Sequence, residues 1–123
     1  MRQDWLRNRA VWRDAGYNDG RYAVEQERRC ECAPPYRATA FIGANGVDSV
    51  AVPASEPDGD AAEWAQTVEE AFALVGQAIL ESSALEVEYD PSLGYPTRID
   101  IDWDVDVADE EVTWTLSDLR PGW

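Results

Sequence analysis

The run from Thr97 to Val107 restricts the fold more than any other part of the chain. Ile99, Ile101, Trp103, Val105 and Val107 fall on one side of an extended backbone, and Asp100, Asp102, Asp104 and Asp106 fall on the other. Strand side chains alternate between faces, so a period of two marks a strand with one dry face and one wet face. Shorter stretches repeat the pattern. Leu85, Val87 and Tyr89 alternate with Glu86 and Glu88 over Ala84–Tyr89, and Val112, Trp114 and Leu116 form a last strand. In the first half, Arg21–Cys32 reads as a strand with Tyr22, Val24, Cys30 and Cys32 in phase, ended by Pro34-Pro35. Tyr36–Ile42 and Val47–Val52 follow as strands, joined by the hairpin signal Gly43-Ala44-Asn45-Gly46.

Two helices complete the order. Asp4–Ala15 opens with Asp4 as N-cap and ends at Gly16 as C-cap, with Trp5, Arg9 and Trp12 on one stripe expected to face a sheet. The second helix has its firmest start at Thr67, where Thr67-Val68-Glu69-Glu70 matches a capping box; Asp60 with Glu63 offers an earlier start. Trp64, Val68, Phe72, Val75 and Ile79 recur at the helical period and mark a core face. The order is α-β-β-β-α-β-β-β. Short links favour antiparallel pairing, so residues 1–123 are expected to form a single α+β domain: one twisted antiparallel sheet with helices on one face. The order is also that of two αβββ halves, but identity between them is too low to claim a duplicated unit.

Charge bounds the partners. The formal net charge is -15, with 10 basic residues, all arginine, and no histidine. Eight of the arginines lie in the first 37 residues, beside 6 acids, and residues 38–123 carry 19 of the 25 acids against 2 arginines. Such a chain repels nucleic acid and anionic lipid, which are held by cationic side chains. No stretch approaches the roughly 20 apolar residues of a membrane span. The basic first third is expected to pack on the acidic remainder, in cis or in trans as a dimer. The absence of histidine excludes a Ser-His-Asp triad and a His-ligated zinc, and 2 cysteines exclude a Cys₄ site. Phosphate-loop and dinucleotide fingerprints are absent as well. An enzyme is not expected, and no cofactor is.

Three constellations remain. Cys30-x-Cys32 places two thiols on one face of a strand, near the outer limit of disulfide geometry. It reads as a strained local disulfide, a buried thiol pair, or half of a metal or redox site. Asp100, Asp102 and Asp104 match positions 1, 3 and 5 of a calcium loop and Glu111 matches position 12, but Val105 stands where the loop needs glycine. The alternatives for Asp100, Asp102, Asp104 and Asp106 are a solvated face, one paired with the row Arg21, Arg28, Arg29 and Arg37, or a face for a partner. The loop Tyr89-Asp90-Pro91-Ser92-Leu93-Gly94-Tyr95-Pro96 either locks a β-connection or offers Tyr89 and Tyr95 for recognition.

Cys30-Glu31-Cys32-Ala33-Pro34-Pro35-Tyr36 and the Tyr89–Pro96 loop, continued by Ile99-x-Ile101-Asp102 and Ala108-Asp109-Glu110-Glu111, carry a family resemblance. Between Trp5 and Leu119 the chain resembles a bacterial family known only as a domain of unknown function, mostly small exported proteins or lipoproteins. The resemblance implies a cell-envelope setting and favours oxidised cysteines; it implies no activity. Met1–Arg13 itself is too polar and arginine-rich for a signal peptide. The leading expectation is a non-catalytic acidic module for a basic protein partner. The alternatives are an immunity- or inhibitor-like protein that neutralises a basic toxin or enzyme, and a weak calcium-binding or redox-responsive protein.

Overall fold

A computed structural model describes residues 2–17, 20–30, 33–52, 65–104 and 111–122. The elements are α1 (Arg2–Asp14), β1 (Tyr22–Cys30), β2 (Ala33–Gly43), β3 (Gly46–Ala51), α2 (Val68–Glu81), β4 (Ala84–Tyr89), β5 (Pro96–Asp102) and β6 (Glu111–Pro121). The expected order is therefore the observed one. The strands form one six-stranded antiparallel sheet in the order β3-β2-β1-β6-β5-β4. Each half is a meander, and the two meet at the β1–β6 seam. A duplicated αβββ unit related by a two-fold axis through the sheet would set β1 beside β4. The observed order does not fit that duplication.

The alternating pattern works as the strand period requires. Tyr22 and Val24 of β1, Ala40 and Ile42 of β2, Ile99 and Ile101 of β5 and Leu116 of β6 share the inner face and form the core with α2. From α2, Val68, Ala71, Phe72, Val75 and Ala78 are buried against them. The start of α2 is where the capping box places it. The Glu70 amide donates to Thr67 Oγ1 at 3.0 Å, and the Thr67 amide donates to Glu70 Oε1 at 2.9 Å. These bonds satisfy two amides that a helix start otherwise leaves open. Trp64 and the earlier start at Asp60 lie outside the described residues.

Several boundaries differ from the sequence reading. Asp4 lies inside the first turn of α1 and pairs with Arg7, so it is not the cap. Gly16 does end the helix, at φ +85°. Pro34-Pro35 do not end the first strand pairing; they belong to β2. They stand opposite Arg29, between the pairs Arg28–Tyr36 and Cys30–Ala33, in a bulge where the ladder is already broken. The β5 strand stops at Asp102, and Trp103 stands at a bend. Val105, Asp106 and Val107, expected to extend it, lie outside the described residues.

Candidate functional site

Both helices lie on the inner face, and among the described residues no helix or strand covers the other face of the sheet. The register fixes what that face carries. Across one row Arg37 of β2 opposes Glu27 of β1, Glu27 opposes Thr115 of β6, Thr115 opposes Arg98 of β5, and Arg98 opposes Glu88 of β4. Across the next, Arg29 opposes Thr113, Thr113 opposes Asp100, and Asp100 opposes Glu86. Asp102 opposes Glu111 beyond it.

The arginines are distributed unequally over these rows. Arg29 and Arg37 both pair with Glu27, Arg37 at 3.2 Å. Arg28, on the inner face, lies over the Trp114 ring, with its guanidinium carbon 5.6 Å from the ring centre. Asp100 is held by Arg98 of its own strand at 3.0 Å and accepts a hydrogen bond from Thr113. The arginines of the first third that were expected to relieve the aspartates are thus engaged elsewhere in the cases of Arg28, Arg29 and Arg37. Asp102 Oδ1 is buried and has no hydrogen-bond partner among the described residues.

The calcium-loop alignment meets a strand. Asp100 and Asp102 lie along one face of β5, with Glu111 across the ladder from Asp102, and Asp104 lies past the strand end. A strand spreads carboxylates along a line instead of wrapping them round an ion. Among the described residues no three acids or cysteines converge on a metal-sized point. Asp106 and Cys32 lie outside the described residues. Cys30 ends β1, in register with Ala33 and Val112.

The Tyr89–Pro96 loop is built inward. The Asp90 carboxylate accepts from the amides of Ser92 at 2.8 Å and Leu93 at 2.7 Å, and the Gly94 amide donates to Asp90 O at 2.9 Å. Gly94 sits at φ +82°, and a Cβ there would lie 2.4 Å from Asn8 O of α1. Only glycine lets the loop dock so closely. Tyr95 is buried edge-on against Trp12, and Tyr89 stacks on Phe72. Both rings therefore face the helices, away from the open acidic face. Burial pushes the Tyr89 phenol up to about 12, helped by Asp4, and raises Tyr95, with Asp90 adding to it.

A second concave feature lies between the helices, and the sequence reading missed it. It is a groove of about 490 Å³ floored by Trp5, Phe72, Ile79 and Leu80, with Arg2, Arg9 and Arg13 along the α1 rim. Arg9 lies over Trp5, with its guanidinium carbon 5.1 Å from the ring centre. On the α2 side Glu69 accepts from Trp12 Nε1 at 3.0 Å and from the Tyr22 hydroxyl at 3.3 Å. The signal was the placement of three arginines at positions 2, 9 and 13, on the side of α1 that carries Trp5.

Residues 4–121 match the model of a family described as Family of unknown function (DUF6174). The chain belongs to that family. The match covers α1 from Asp4, α2 and the whole sheet, so the outer sheet face and, apart from Arg2, the groove lie within the family's domain. No curated protein and no solved structure matches the chain significantly.

Proposed function

We propose that this protein is a non-catalytic binding module that offers its open acidic sheet face to a basic protein partner. The observation that carries the reading is a pair of like-charge contacts: Glu86 directly opposite Asp100, and Asp102 directly opposite Glu111. Like charges across a ladder destabilise a sheet by several tenths of a kcal/mol or more. Of these four, Asp100 alone has an ion pair among the described residues. A cationic surface laid on β4, β5 and β6 would relieve the repulsion and would gain an association rate that falls with salt. Asp104 and Asp106 continue the acidic stretch in sequence.

An arginine-rich peptide titrated into isotope-labelled protein tests the reading. Amide shifts are expected on β4, β5 and β6, and Glu86→Gln with Asp102→Asn should weaken binding several-fold. Shifts spread equally to Glu81, at the end of α2, would sink it.

A further inference from the structure

The groove between α1 and α2 differs from the rest of the surface in two ways. Its floor is apolar in a place where solvent reaches it: Leu80 is 83% exposed and Trp5 is only partly buried. Its rim is cationic in a chain of net charge -15. Neither Arg2 nor Arg13 has an ion pair among the described residues, and both are exposed. The one carboxylate at the groove, Glu69, already accepts hydrogen bonds from Trp12 and Tyr22 at the floor.

Small-molecule sites are clefts of roughly 300–1,000 Å³ with mostly apolar walls and a few placed polar groups. The groove falls within that range at about 490 Å³. Guanidinium groups bind carboxylates through paired N–H donors. We propose that the groove binds a single-chain amphipathic carboxylate. The apolar tail lies along Trp5, Phe72, Ile79 and Leu80, and the carboxylate is taken by Arg9 and Arg13. Charge selects the occupant: the acidic surface repels anions generally, and this rim is where one is drawn in. The site is independent of the open sheet face, on the opposite side of the sheet.

Dodecanoate is the probe. Calorimetry and tryptophan fluorescence should show saturable, one-to-one binding below the concentration at which dodecanoate self-associates. Dodecyltrimethylammonium, with the same tail and the opposite charge, should bind at least tenfold more weakly. Ala73→Trp, an exposed lining position filled by a large ring, should abolish binding while circular dichroism stays unchanged. Arg9→Gln with Arg13→Gln should weaken dodecanoate about tenfold and leave dodecanol unaffected. Equal binding of the cationic probe, binding only to micelles, or full binding by folded Ala73→Trp protein would each overturn the proposal.

Discussion

The indole N–H of Trp5 donates to the main-chain oxygen of Phe72 at 2.8 Å. A side chain of α1 is thereby bonded to the backbone in the middle of α2, and Gly76, one turn on, leaves room for the ring: a Cβ there would lie 3.1 Å from Trp5 Cζ2. Trp5→Phe keeps a ring in place and removes the donor. It should lower stability by about 1 kcal/mol, the usual net value of one hydrogen bond. Urea unfolding checks this, with the midpoint falling at an unchanged slope.

Gly94 and Gly16 make a controlled pair. Both have positive φ, but a Cβ at Gly16 meets nothing within 4 Å, whereas at Gly94 it would meet Asn8 O at 2.4 Å. Gly16→Ala should cost about 1 kcal/mol, from the left-handed backbone alone. Gly94→Ala adds a clash with the α1 backbone and should cost at least about 2 kcal/mol more. Equal losses in chemical denaturation would show that α1 yields freely.

Alkaline pH should destabilise the fold. Burial raises the phenols of Tyr22, Tyr89 and Tyr95 above their ordinary value of 10.0, Tyr89 to about 12. The unfolded chain releases these protons first, so above about pH 10 the folded state binds more protons and stability falls as pH rises. The contribution is intact below that value and is lost progressively as the folded phenols titrate. Tyr89→Phe also removes a buried hydroxyl that has no hydrogen-bond partner among the described residues. It should flatten the alkaline fall and leave stability near neutral pH unchanged or higher, as read from urea midpoints across the range.

Glu86→Gln should stabilise the protein by a few tenths of a kcal/mol, because Glu86 faces Asp100 across the ladder. The gain should shrink in high salt, which screens the same repulsion. A loss of stability in thermal unfolding would mean that Glu86 has a favourable role in the isolated fold.

Calcium and magnesium should raise the melting temperature equally, by screening. The strand geometry of Asp100 and Asp102 does not wrap an ion. A calcium-specific rise, abolished by chelation, would mean that Asp104 and Glu111 close around a cation with them.

The sequence displays what local rules govern. The Thr67 capping box places the start of α2, the stripe Val68, Phe72, Val75 marks its buried face, and strict alternation places β4 at Ala84–Tyr89. The Asp90-to-Gly94 turn is legible too, since its bonds run between near neighbours. Contacts between distant segments are not displayed. Nothing local announces that Glu69 receives both Trp12 and Tyr22, or that Gln26 bonds the main chain of Gln66 at both ends of its amide. The tryptophan stripe of α1 shows the same limit. Both rings were expected on a sheet, yet Trp5 meets α2, and Trp12 reaches Tyr22, Tyr95 and Glu69 together. The groove arises from that helix pairing, so periodicity alone could not locate it.

The seam between β1 and β6 has a consequence for how the chain assembles. Each three-stranded meander can close through local turns, but its innermost strand is left with a bare edge until β6 reaches β1. The register joins Tyr22 to Pro121, across nearly the full length of the chain. Such distant pairing slows folding and leaves unpaired edges open to other molecules meanwhile. Loss of residues 111–122 would therefore not trim the domain. It would split the sheet into β3-β2-β1 and β5-β4, baring the edges of β1 and β5 that β6 covers in the intact protein.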